Sequence, residues 1–86
     1  MEYFIETRSA KTRKFIEEIL PPMLEQMKLT KNKRLLHIKF DRDFEDMGTM
    51  VPLLGIDTFL IVIKPTRSLH ELGVTLAHEL IHVAQV

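Results

Sequence analysis

Five apolar residues stand in succession from Phe59 to Ile63. A strand without polar alternation needs cover on both faces, so Thr58 to Lys64 is expected as a central strand, or as one covered by helices on one side and a loop on the other. Just upstream, Met50 to Leu54 is a second β-rich stretch, and Gly55-Ile56-Asp57 between the two reads as the turn of a hairpin. Leu36, Ile38 and Phe40 alternate with His37 and Lys39, as in a half-buried strand, and Tyr3 and Ile5 alternate with Glu2, Phe4 and Glu6 in a shorter one.

Between these strands Phe15, Ile16, Ile19, Leu20, Met23, Leu24 and Met27 recur at three- and four-residue steps, which predicts a helix with one buried stripe. Pro21 and Pro22 interrupt it. A proline deletes a helical hydrogen bond and crowds the preceding turn, so a kinked helix or two abutting helices follow; the stripe stays in phase across the prolines, which favours the kink. After Pro65, Ser68 and Glu71 have the spacing of a capping box, and the helix they open runs through Leu69, Leu72, Leu76, Leu80 and Val83 with no stop signal before Val86. The order strand, long helix, strand, hairpin, helix predicts an α+β domain with a small, mainly antiparallel sheet and a motif-bearing C-terminal helix.

With 86 residues the chain is long enough for one domain and too short for two. No stretch approaches the roughly 20 apolar residues of a membrane span, and Met1 to Glu6 carries two acids and no basic segment of the signal-peptide kind. The expected setting is cytoplasmic, with no membrane partner. The chain has no cysteine, which removes disulfides and thiolate ligands together, so a transition-metal site here is built from imidazole nitrogen and carboxylate oxygen.

Those ligand types occur together on the last helix, where Ala77-His78-Glu79-Leu80-Ile81-His82 contains His-Glu-x-x-His. His78 and His82 lie about 40° apart on consecutive turns, and Glu79 lies about 100° from His78. Both imidazoles can reach one ion while Glu79 stands beside it. This is the arrangement in which two neutral imidazoles hold Zn²⁺, the ion acidifies a bound water, and Glu79 takes that water's proton as it attacks a carbonyl. A helical wheel puts Glu71, Thr75, His78, His82 and Gln85 in one stripe and Leu69, Leu72, Leu76, Leu80, Ile81 and Val83 around the rest, which predicts a helix buried over most of its circumference. Burying two His and a Glu without partners costs several kcal/mol, and a shared metal ion is the simplest partner.

Two imidazoles leave one protein ligand to find, since catalytic zinc sites use three. Gln85 stands where a metzincin has Gly, so the third ligand is not the one that family places there. His37, His70, Asp41, Asp43, Glu45, Asp46, Asp57 and Glu71 are the upstream candidates, and no spacing chooses among them. Glu71, about 10 Å before His78 along the helix, suits a cap or a supporting residue better than a ligand. A ligand beyond residue 86 is the simpler expectation, and with it a chain that lacks its C-terminal segment.

The sequence Thr75-Leu-Ala-His78-Glu79-Leu-Ile-His82-Val-Ala-Gln85 resembles the active-site helix of small zincin-like metallopeptidases found in bacteriophage and bacterial genomes, akin to the SprT-like group. Their order of elements is similar over most of this chain. The resemblance implies a zincin-like fold, zinc ligands at His78 and His82, the general base at Glu79, a third ligand after the motif helix, and a protein or peptide substrate.

Residues 1–40 hold nine Lys or Arg against five Asp or Glu, and residues 41–86 hold three against seven, within a formal net charge of zero. Lys28, Lys31, Lys33 and Arg34, with Arg8, Lys11, Arg13 and Lys14, could form a face for nucleic acid, but no aromatic interleaving accompanies them and a solvated surface is the better reading. Asp41, Asp43, Glu45 and Asp46 lack the Gly and distal Glu of an EF-hand, so a solvated turn is expected there. The competing reading of the whole is a non-catalytic protein- or nucleic-acid-interacting module with a vestigial metal site. If nothing further covers the motif helix, a flank around Val74, Ile81 and Ala84 stays exposed, and a homodimer is one way to close it.

Overall fold

Alternating strands and amphipathic stripes fold as their periods predict, into β1 (Glu2–Glu6), α1 (Ala10–Gln26), β2 (Leu35–Phe40), β3 (Gly48–Leu53), β4 (Thr58–Ile63) and α2 (Leu69–Gln85). The computed structural model describes every residue except Leu54, Ile56, Arg67 and Val86. The expected strand end at Leu54, the turn residue Ile56, Arg67 ahead of the second helix, and the helix end at Val86 therefore lie outside the described residues.

The sheet runs in the order β1-β2-β4-β3. β1 pairs with β2 and β2 with β4 in parallel, and only β3 and β4 are antiparallel. This corrects the expectation of a mainly antiparallel sheet. A hairpin announces its own pairing through its short turn, whereas β1 and β2 are joined by a helix, and a helical crossover returns the chain to run parallel. β4 is central, as five consecutive apolar residues require. β3 lies on an edge, where Pro52 deprives no ladder of a donor.

Register places Tyr3, Leu36, Phe59 and Pro52 in one row and Ile5, Ile38, Ile61 and Met50 in the next, all on one face. The core joins that face to Ile16, Leu20 and Leu24 of α1 and Leu72, Leu76, Leu80 and Val83 of α2, so both helices cover the same side. Neither helix covers the other side. There the row Phe4, His37, Leu60 and Val51 crosses all four strands, with Phe4 51% and Val51 41% exposed. β4 thus has both helices on one face, while on the other Thr58 and Val62 are still buried and Leu60 is half-buried.

α1 is one helix through Pro21 and Pro22, both of which face solvent, so the carbonyls they leave without donors can be hydrated. Its N-terminus is capped by Ser9, whose hydroxyl accepts from Thr12 N at 3.1 Å. Its C-terminus closes with Leu29 N donating to Leu24 O and Lys28 N to Glu25 O, with Lys28 at a positive φ of 59°. At the start of α2 only half of the expected capping box forms. Ser68 Oγ accepts from Glu71 N at 3.2 Å, while the Ser68 N–H goes to Thr66 Oγ1 at 3.0 Å instead of to the Glu71 side chain.

Candidate metal centre

Position along α2 decides which way each motif side chain points. Leu72, Leu76, Glu79, Leu80 and Val83 are its buried residues, a single stripe at helical spacing against the sheet. Glu79 occupies a position that this period assigns to the core. His78 and His82 lie on the adjoining stripe and are exposed. Their rings stand edge to face with centroids 5.0 Å apart and planes at 88°.

That exposure corrects part of the expectation. The motif helix is packed on one side only, because α2 lies in an outer layer above a single sheet; Val74 is 57% and Ile81 47% exposed on its outer side. The desolvation argument for a metal partner therefore does not hold for the two histidines. Nor does it hold for Glu79, which as a residue is 5% exposed but whose carboxylate opens to solvent, since no buried polar side-chain atom among the described residues lacks a hydrogen-bond partner.

Glu79, His78, His82 and Gln85 share a recess of about 450 Å³ with Gly48, Thr49 and Met50 of the edge strand β3. One wall is the motif helix, the other the first half of β3. The β3 residues were not singled out from the sequence. The one available signal was Gly48, since a glycine in a strand often marks a close approach of another backbone.

The other candidate ligands are dispersed. His37 sits on the sheet face that neither helix covers, with Nε2 3.1 Å from Glu6 Oε1 and its ring edge-on to Phe4. Asp57 lies 3.7 Å from Arg34 Nε, and the Arg34 guanidinium is 5.1 Å above the Phe59 ring. Asp41 turns its own loop by accepting from Asp43 N at 2.9 Å. His70 borders an apolar hollow with Phe15, Ile19 and Met23, and Glu71 is exposed in the first turn. Among the described residues no group of three or more His, Cys, Asp or Glu side chains is arranged to share an ion. The fit to zinc is thus that of two nitrogen donors on one helix face with a carboxylate beside them and a third donor still to be supplied.

The basic residues divide between the two ends of α1. Arg8 and Arg13 border a groove with Arg42, whereas Lys28, Lys31, Lys33 and Arg34 follow the far end of a 17-residue helix about 25 Å long. They do not make one continuous face. No helix among the described residues is long and apolar enough to cross a membrane. No family model matches the chain, and no curated protein or solved structure matches it.

Proposed function

We propose that this protein is a zincin-like, zinc-dependent metallopeptidase that hydrolyses peptide bonds in protein or peptide substrates. One observation carries the reading: Glu79, on the core stripe of α2 and only 5% exposed, lines the recess shared with His78 and His82. A core stripe ordinarily holds apolar side chains, whereas the Glu79 stem packs in that stripe and its carboxylate opens to the recess, since no buried polar side-chain atom among the described residues lacks a hydrogen-bond partner. A carboxylate held at the wall of that recess, beside two imidazoles, is placed for proton transfer there.

His78 and His82 would hold the ion through one ring nitrogen each, and a further protein donor would complete the set of three. When bound, zinc supplies Lewis acidity, polarising a carbonyl and acidifying water at the mouth of the recess. Glu79 would serve as the general base beside that site, taking a proton from an attacking water and returning it to the departing amine. Packing of the Glu79 stem between α2 and β3 fixes where its carboxylate can reach. The substrate class is supported by β3, an edge strand bordering the recess, because an extended peptide can add to such an edge through main-chain hydrogen bonds.

The test is metal uptake. Elemental analysis and titration of the purified protein should find about one Zn²⁺ per chain, bound more weakly than by a three-ligand site. Uptake should vanish in the His78→Ala, His82→Ala double variant. No uptake by the wild type, or equal uptake by the variant, would refute the metal reading; uptake without any hydrolysis would favour the non-catalytic module.

A further inference from the structure

Gly48 begins β3 on the helix-covered face, in register with Ile63 and, through it, with Phe40. Its φ is not positive, so conformational freedom does not explain a glycine there. Space does. A Cβ at Gly48 would fall 2.7 Å from Thr75 Cγ2, 3.4 Å from the Val62 carbonyl oxygen and 3.5 Å from Glu79 Cγ. The first contact is far inside van der Waals range. Thr75 has only two favoured χ1 rotamers on a helix, so the contact is relieved either by turning its methyl out of this position or by moving β3 away from α2. The other glycines differ: an added Cβ meets nothing within 4 Å at Gly55 and makes ordinary contacts of 3.5 to 3.8 Å with Phe15 and Ile19 at Gly73.

We infer that Gly48 is a positioning residue for Glu79: by having no side chain, it lets the edge strand lie directly against Thr75 and so closes the wall that buries the Glu79 stem. Thr75 is one helical turn before Glu79, and the methyl that meets Gly48 lies beside the Glu79 stem. By the second of these routes, a side chain at position 48 drives β3 and α2 apart at the point where they enclose Glu79. His78 and His82 are carried by α2 alone, on its exposed side, so their mutual geometry does not depend on β3. The inference rests on the peptidase reading for the significance of Glu79, but its geometry does not.

The experiment compares Gly48→Ala, Gly48→Ala with Thr75→Ser, and Gly73→Ala as a control on the same helix. In metal-free protein, modification of carboxylates by a water-soluble carbodiimide and an amine, read residue by residue in the mass spectrometer, reports the exposure of Glu79. Labelling of Glu79 should rise several-fold in Gly48→Ala, return to near the wild-type level when Thr75→Ser removes the methyl, and stay unchanged in Gly73→Ala. If the wild type takes up zinc and hydrolyses peptides, Gly48→Ala should lower kcat with zinc affinity unchanged, and Thr75→Ser should restore it. Unchanged labelling in a folded Gly48→Ala protein overturns the inference. So does a rise that Thr75→Ser fails to reverse. If Gly48→Ala does not fold, recovery of the fold in the double variant supports the inference, and failure of both to fold overturns it. Absence of zinc uptake by the wild type would refute the peptidase reading and leave the labelling result to decide the role of Gly48.

Discussion

Helices α1 and α2 each span 17 residues and cover the same face of the sheet, yet they distribute polarity in opposite ways. α1 buries Ile16, Leu20 and Leu24 and turns Lys11, Lys14, Glu17, Glu18 and Glu25 to solvent. That is the pattern stability alone would produce. α2 buries Leu72, Leu76, Leu80 and Val83, but with them it buries Glu79, while Val74 and Ile81 stand in solvent. A buried charge-bearing group and exposed aliphatic side chains on one helix are the informative departures from the general rule. The difference teaches where to look for function: α1 keeps every charged side chain out of its buried stripe, whereas α2 sets Glu79 in that stripe beside a recess.

The largest effects should be alike in the two helices. Leu20 and Leu76 are both fully buried, and truncating either to Ala should cost about 2–5 kcal/mol, as deletion of buried methyl groups generally does. Denaturant unfolding of Leu20→Ala and Leu76→Ala would measure this. A cost in α2 well below that in α1 would mean that the motif helix is only loosely docked, and the comparison would then concern order and not polarity.

The next effect should separate the helices. Glu79→Gln keeps the shape of the side chain but cannot take a proton from water, so hydrolysis should fall by at least about a hundredfold, near 2.7 kcal/mol of transition-state stabilisation. Zinc uptake should persist. Stability of the metal-free protein should be nearly unchanged, because the amide has the same shape and the side chain ends in the recess without a hydrogen-bond partner among the described residues to lose. Loss of metal together with activity would make Glu79 a ligand or a structural residue, and retained activity would exclude it as the base.

How much of this could be read from the sequence follows from how local each feature is. The strand over Leu35–Phe40, the hairpin pairing Leu53 with Thr58, and the helix from Leu69 each rest on neighbours within a few residues, and each forms as expected. The parallel pairing of β2 with β4 joins Leu35 to Thr58 across an intervening strand, and no local pattern encodes that. The motif was legible because His78, Glu79 and His82 are four residues apart at most. Their division into two exposed imidazoles and one glutamate packed in the core stripe was not, since the apolar residues on both sides of the stripe suggested burial all round. The flank of Val74, Ile81 and Ala84 was legible as the part left exposed if nothing further covers the helix, and it is exposed.

The smallest expected effect tests the exposed half of the motif. His78 and His82 face solvent and touch each other edge to face, and surface substitutions away from caps, cores and networks usually change stability by less than about 0.5 kcal/mol. The His78→Ala, His82→Ala protein without metal should therefore unfold within that margin of the wild type. Zinc should then part them. An ion that binds only the folded state stabilises it by mass action, about 2.7 kcal/mol at a free concentration a hundred times the Kd, so the wild type should gain stability with added zinc and the double variant should not. Denaturant titrations with and without zinc give all four values. If the metal-free variant were destabilised by as much as a core truncation, the two histidines would be holding the helix in place, α2 would differ from α1 only in the chemistry of its packing, and the contrast between a structural helix and a functional one would collapse.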